Sequence, residues 1–370
     1  MSPRPARAAV LLGMAGTLGV SGGLATAWLA PSWDAPALPE HVRFSLLAVG
    51  DSGHLEKVSP WLTPQRAVGD ALAATHRARP VAKLLLLGDN FYPDGLEQRE
   101  AEARIAMNLV APLCAFLDLS APQGAAVEPR CDVPAARRLP IPVRAVLGNH
   151  DWRAPESPDL EQDLIPHYLA NFALRKGSWL EETDAGVSLV YFESTRGRTP
   201  EGGEELRALL ASSRGPWRIV VSHHPIDASE RSAPLRAAIA ASGVPVALWL
   251  AGHEHNLQIS EPGPPGPALQ AIAGSGSHAT GIKYEIPGRR FFRRALGYAR
   301  VDLVTDPSRT AGEELVVSLV EVRPVPAAIW DRADVVARWA VDGGGRVRRI
   351  SQAESDPPTP EADAEDEPFQ

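Results

Sequence analysis

The sequence predicts an α/β fold, and three features carry that prediction. Compact apolar runs of strand length alternate with stretches of helical periodicity. The runs are apolar almost throughout, which marks parallel strands buried on both faces. Several of them end in a short polar island led by glycine, and ligands of open α/β sheets bind at such carboxyl ends.

Taken in order, Phe44 to Val49 reads as a strand ending in Gly-Asp. Gln65 to Ala78 reads as a helix with Ala67, Val68, Ala71, Leu72 and Thr75 on one face. Val81 to Leu87 is a second strand, again ending in Gly-Asp. Leu96 to Leu119, rich in Glu, Ala and Arg, reads mainly as helix. Pro140 to Leu147 is a third strand, ending in Gly-Asn-His. In the second half, Val187–Glu193, Trp217–Val221 and Val246–Leu250 read as strands, with helices over Gly202–Ser212 and Leu235–Ala241 between them. After Gln258 the pattern becomes strand-rich, over Ala268–Ala273, Gly297–Val304, Leu315–Val322 and Val335–Val341. Glu261 to Pro267 is a Pro/Gly loop inside the domain, since strands continue beyond it. There is no internal repeat at solenoid or propeller periods.

A chain of 370 residues holds one large domain or two small ones. The formal charge of -8 is concentrated at one end. Residues 353–370 carry seven acids and no base, so the remainder is close to neutral. No nucleic-acid surface is expected, because such a surface would be basic. The tail has four prolines and few large apolar residues, and it is expected to be disordered. At the other end, Arg4 and Arg7 precede an uncharged stretch from Ala8 to Trp33. This is either a signal peptide with a cleavage site near Ala25-Thr26-Ala27, or an N-terminal anchor retained in the membrane. Both readings of residues 1–33 export the domain: periplasmic, extracellular or anchored on the outer side of the cytoplasmic membrane. Membrane contact is expected only if the segment is retained. In an exported chain, Cys114 and Cys131 are disulfide candidates; two unpaired thiols are the alternative.

The polar islands are Gly50-Asp51-Ser52-Gly53, Gly88-Asp89-Asn90-Phe91-Tyr92, Gly148-Asn149-His150-Asp151, Ser222-His223-His224-Pro225 and Gly252-His253-Glu254-His255. Together they offer carboxylates, an amide, a phenol and a cluster of imidazoles. A carboxylate can bridge two cations, and a pair about 3.5–4 Å apart clamps both the attacking and the leaving oxygen of a phosphoryl displacement. The mixed donors favour Fe, Zn or Mn over a purely oxygen-bound Mg or Ca. In an extended segment His253 and His255 share a face. Glycine permits the tight turns and close backbone approach such a centre requires. Any single island is also an ordinary Gly-Asp or Gly-Asn turn; five of them, each after an apolar strand, are not.

These islands resemble the calcineurin-like metallophosphoesterase superfamily, and within it the purple acid phosphatases. That pattern is GDxG, GDxxY, GNH followed by an acid, a His two residues before Pro, and GHxH, all found here in order. Asn256-Leu257-Gln258 and Gly274-Ser275-Gly276 are similar to the small, tartrate-resistant, mammalian-type branch. The resemblance covers roughly residues 42–304, is weak around 120–139, and is absent at both termini. It implies a four-layer α-β-β-α sandwich with two mixed sheets over residues 42–350, the metal site at the C-terminal ends of strands. It implies two metal ions: Fe(3+) at Asp51, Asp89, Tyr92 and His255, and a divalent Fe, Zn or Mn at Asp89, Asn149, His223 and His253. Asp89 bridges them. His150 is then the unligated catalytic side chain assisting the leaving group, while a metal-bound hydroxide attacks phosphorus.

Pro225 favours His223 over His224 as ligand, because the family's ligand is followed by one residue and then proline. His224 and His54 are possible substrate contacts, His54 being otherwise a solvent-exposed loop residue. His278, after the Gly-Ser-Gly loop, could approach the site, and Glu254 should point away from the metals. The expected activity is hydrolysis of phosphate monoesters, an acid phosphatase working on a small phosphoester substrate as a monomer. The alternative is a phosphodiesterase or nucleotide hydrolase on the same dinuclear site, with loops 56–63 and 155–166 shaping the pocket. A non-catalytic scaffold would be expected to lack a ligand or His150, and none is missing.

Overall fold

The computed structural model of the chain describes residues 41–54, 63–305, 312–323 and 333–357. The N-terminal segment expected to be a signal or anchor, residues 56–62 of the first pocket loop, and the acidic stretch beyond residue 357 lie outside the described residues. Among those described, no helix is long and apolar enough to cross a membrane.

The described strands are β1 (His41–Val49), β2 (Lys83–Leu86), β3 (Val143–Ala145), β4 (Phe172–Leu174), β5 (Trp179–Glu182), β6 (Val187–Phe192), β7 (Trp217–Ser222), β8 (Leu248–Ala251), β9 (Leu257–Ser260), β10 (Leu269–Ala273), β11 (Arg289–Arg293), β12 (Leu296–Thr305), β13 (Glu313–Val322), β14 (Ala333–Asp342) and β15 (Val347–Gln352). They form two mixed sheets. One runs β15-β14-β13-β12-β1-β2-β3-β4, the other β11-β9-β10-β8-β7-β6-β5. In the first, β1 to β4 are parallel and β12 to β15 are antiparallel to their neighbours. In the second, β6, β7, β8 and β10 form the parallel block.

The sheets pack face to face with helices outside, giving the four layers. Successive strand side chains point to opposite faces, and both faces are covered. Leu46, Ala48, Leu85 and Leu87 meet Ile219, Val221, Leu248 and Leu250 between the sheets. Leu47, Val49, Leu84 and Leu86 face the helix Pro64–Ala78 and the stretch 98–116. Val220, Trp249 and Ala251 face the helices Pro200–Ser212 and Ala233–Ser242 through Leu206, Leu210, Leu235 and Ile239. This is why the strands read as continuous apolar runs. The helix Pro64–Ala78 starts where Thr63 Oγ1 accepts the Arg66 N–H at 3.1 Å. It buries Val68, Ala71, Leu72 and Thr75, the expected face. Trp217 and Trp249 are core residues, and Trp179 stacks on Tyr191 with ring centroids 3.9 Å apart.

Three expectations change in detail. The helix read from Leu96 to Leu119 is a broken series, with a π-helical turn at Ala106–Val110 between α-helical pieces. Pro112 has no N–H to give to the Asn108 carbonyl; Gln65 Nε2 donates to it instead, at 3.2 Å. The short strands β4, β5, β9, β11 and β15 were not legible as strands. The tail boundary at 353 falls too early: Ala353 N–H donates to Val336 O (2.7 Å) and Asp356 N–H to Phe292 O (2.9 Å), so these residues strap one sheet to the other. Cys114 and Cys131 are disulfide-bonded, their Cα atoms 5.3 Å apart.

Candidate metal centre

The five islands converge because β1, β2 and β3 of one sheet, and β7 and β8 of the other, end at the same rim. Their turns are joined by backbone bonds within and between sheets. Asp51 N–H donates to Gly88 O (3.0 Å), Gly53 N–H to Asp89 O (3.0 Å), Gly252 N–H to His223 O (2.9 Å) and Gly50 N–H to Ala273 O (2.8 Å). Asp51, Asp89 and His253 all adopt left-handed backbone conformations, with φ of 56°, 53° and 69°. Such conformations cost on the order of 1–3 kcal/mol each and cluster at functional sites. The approach is close enough to require glycine beside them. A β-carbon on Gly148 would strike the Asp89 carboxylate and backbone nitrogen, and one on Gly252 would lie 2.5 Å from Asp51 Oδ2.

Two clusters of donor atoms result. In the first, Tyr92 Oη lies 2.6 Å from Asp89 Oδ2, 3.2 Å from Asp51 Oδ1 and 3.1 Å from His255 Nε2. His255 Nε2 is 3.2 Å from Asp51 Oδ1. In the second, Asn149 Oδ1 lies 2.8 Å from His223 Nε2 and 3.0 Å from His253 Nδ1. His223 Nε2 is 3.5 Å from Asp89 Oδ1. Asp89 thus turns one oxygen to each cluster. His223 Nδ1–H donates to Leu87 O at 2.9 Å, which leaves the Nε2 lone pair facing the amide oxygen of Asn149. Acceptors converging in this way, with carboxylates buried beside them, fit a pair of cations.

Charge balance agrees. Burial pushes the Asp51 carboxyl up to about 7, Asp89 adding to the effect and His223 opposing it. For Asp89, burial acts upward but is outweighed by His223, His150 and the Tyr92 hydrogen bond, so its pKa is lowered. Burial and the two carboxylates hold the Tyr92 phenol well above its ordinary range. Burial, followed by neighbouring positive groups, depresses His253 strongly and His255 to about 3. His253 and His255 are therefore neutral, as metal ligands must be, and a phenolate could form only beside a strong positive charge.

His223, not His224, meets Asp89 and Asn149. His224 is buried, its ring centroid 4.3 Å from that of His253 and 4.9 Å from that of His223. Its backbone N–H donates to Ser194 Oγ (2.8 Å) and its Nδ1 pairs with the same hydroxyl (3.1 Å). It remains close enough to share an ion with His223 and His253, their donor atoms lying within 4.8 Å of one another. His150 packs over Tyr92 (4.1 Å) and donates from Nδ1 to Pro93 O (2.6 Å). His54 is exposed at the rim, 5.8 Å from Tyr92 and 5.3 Å from His278, whose ring lies 4.0 Å from His255. Glu254 turns away from the centre, as expected, and accepts the Lys283 and Tyr284 N–H groups.

Sequence reasoning missed the supports behind the ligands. Asp151 accepts from Gly148 N (2.8 Å), Asn90 N (2.9 Å) and Phe91 N (3.0 Å), tying two islands together. Asn90 Nδ2 donates to the fully buried Glu161 (3.1 Å) from the helix Ser157–Asp163. Asn108, displaced by the π-turn, donates from Nδ2 to Gly53 O (2.6 Å) and Asn90 O (3.2 Å). Its available signal was an amide inside an apolar helical run; Glu161 carried none.

A family model described as calcineurin-like phosphoesterase matches residues 45–257. No curated protein matches the sequence. Among solved structures, "GAP50 the anchor in the inner membrane complex of Plasmodium" superposes with a TM-score of 0.54 at 15% identity, covering 85% of this chain and 90% of that one. "Structure of PhoD" gives 0.51 at 10% identity, covering 88% and 75%. At these identities the likeness is one of fold.

Proposed function

The chain belongs to the calcineurin-like phosphoesterase family, a family of metal-dependent phosphoric-ester hydrolases, and from that premise we propose that it is an exported acid phosphatase acting on phosphate monoesters. The ferric position is assigned to Asp51, Asp89, Tyr92 and His255. A divalent Fe, Zn or Mn is assigned to Asp89, Asn149, His223 and His253. Bound there, the cations would lower the pKa of a water and polarise the phosphoryl oxygens. The chain's own residues do the rest. Asp89, with one carboxylate oxygen toward each cluster, would hold both cations. The left-handed turns hold the carboxylates before substrate arrives. His150, its Nδ1–H committed to Pro93 O, presents Nε2 to give a proton to the departing oxygen. Export is supported by the disulfide between Cys114 and Cys131.

The observation that carries the reading is Tyr92, whose phenol oxygen lies between two carboxylates and an imidazole. Metal analysis and visible spectroscopy of the purified protein test it, with Tyr92→Phe as the variant. Bound iron and an absorption band lost in Tyr92→Phe are expected, together with turnover of an aryl phosphate below neutral pH. A protein that binds no iron, and whose spectrum Tyr92→Phe leaves unchanged, would end the purple-acid reading.

A further inference from the structure

Glu254 stands between two metal-site histidines, fully buried. Its carboxylate accepts the backbone N–H groups of Lys283 (3.1 Å) and Tyr284 (2.7 Å). Asn256 Nδ2 donates to Gly281 O (2.9 Å), and Thr280 N–H to His255 O (2.7 Å). The loop 278–284 is therefore sewn onto the Gly252–His255 turn by its backbone. It lays His278 over His255, and it lays Tyr284 nearly parallel to His253, with centroids 5.3 Å apart and 20° between the ring planes. On the other side Arg289 donates to Tyr284 O at 2.9 Å.

Tyr284 is nonetheless 39% exposed. Val42 and Leu139 are the other large apolar side chains so exposed among the described residues, and both lie away from the metal rim. An aromatic ring fixed at both ends of its residue, stacked on a metal-site histidine and open to solvent, has the attributes of a stacking platform. Flat rings stack on aromatic side chains at such positions with little demand on hydrogen-bonding pattern.

We propose that Tyr284 receives the leaving group, and that the preferred substrates are phosphate esters whose leaving group carries a flat ring. The phosphoryl group lies over Asp89 while the ring stacks on Tyr284. This rests on the hydrolase reading above and deepens it. Tyr284 acts as a specificity determinant, with no role assigned in proton transfer or metal binding.

The test is calorimetric binding of phenylphosphonate and methylphosphonate to the metal-loaded full chain, with hydrolysis of phenyl phosphate and metal content measured in parallel. The unsubstituted protein should bind phenylphosphonate roughly three- to tenfold more tightly, the range of one aromatic stacking contact. The preference should disappear in Tyr284→Ala and persist in Tyr284→Phe. Because the loop is held through backbone N–H groups, both variants should keep the metal content. A preference absent at the start, surviving Tyr284→Ala, or lost equally in Tyr284→Phe overturns the proposal. So does a fall in metal content in Tyr284→Ala, which would make the ring packing for His253. If the phenyl preference follows Tyr284 but phenyl phosphate is not hydrolysed, the platform stands and the hydrolase reading fails.

Discussion

Replacing Asn108 with alanine should destabilise the protein by about 3 kcal/mol, although Asn108 touches no proposed metal ligand side chain. The figure follows from what its amide holds. Nδ2 donates to Gly53 O (2.6 Å) and Asn90 O (3.2 Å), both buried, and Oδ1 accepts from Arg104 Nε (3.3 Å). Gly53 O keeps a second donor in the Tyr92 N–H (3.3 Å), so its loss is near the net worth of one hydrogen bond, about 1 kcal/mol. Asn90 O would be left desolvated, which costs about 1–3 kcal/mol. Asn108→Asp is the sharper variant. It keeps the volume and the acceptor for Arg104 but sets an oxygen against two carbonyl oxygens, and it should be at least as destabilising. Urea denaturation with the disulfide intact reads both, as a shift of midpoint at constant m-value. A loss under about 1 kcal/mol for alanine, or an aspartate variant as stable as the unsubstituted protein, would refute the account of the π-turn as a clamp on the first two islands.

The remaining predictions concern the centre itself. His150→Ala should lower kcat by roughly 10²- to 10⁴-fold with metal content unchanged; unaltered turnover of an aryl phosphate would remove His150 from the proton-transfer role. Gly148→Ala should abolish metal binding, because the new methyl meets the Asp89 carboxylate and its backbone, which cannot move away; equilibrium dialysis with a divalent cation reads this directly. In metal-free protein, burial raises both Asp51 and Asp151 to about 7 from 3.8. A folded-state pKa above the unfolded one gives stability that is full below about 3.8 and is lost as pH rises through about 7. This part of the stability is lost between pH 5 and pH 8, against the opposite slope that the depressed His253 and His255 give below about 6.5. In metal-free protein Asp51→Asn should therefore shift the difference between the two pH values in favour of pH 8. A divalent cation should reverse the Asp51 slope by holding Asp51 as the carboxylate, and thermal melts at the two pH values decide it.

Much of the candidate site was legible because its donor residues are clustered locally in sequence even when the site is not. Each island follows an apolar strand, and Gly-Asp, Gly-Asn-His and Gly-His-x-His announce turns whose side chains have little other use. The π-turn was not legible: Pro112 signals a break, but where the helix dilates depends on Gln65 reaching across from another helix to the Asn108 carbonyl. Glu161 could not be recognised either, since a glutamate in a polar loop reads as solvated until Asn90 and Ser157 are found around it.

The amino-acid order alone determined the α/β class, the parallel strands buried on both faces and the residues able to bind metal. These depend on periodicity and on local turn chemistry, which act over a few residues. Pro225 favours His223 over His224 as the candidate ligand, and only the tertiary structure shows what each imidazole meets. Both precede Pro225 on one strand end, and they are separated by which imidazole reaches Asn149 on the opposite sheet, at 2.8 Å. The same holds for the pairing of Cys114 with Cys131 and for Tyr284 stacked on His253. Such contacts join segments distant in the chain, and sheet packing, which no local pattern encodes, sets their distances.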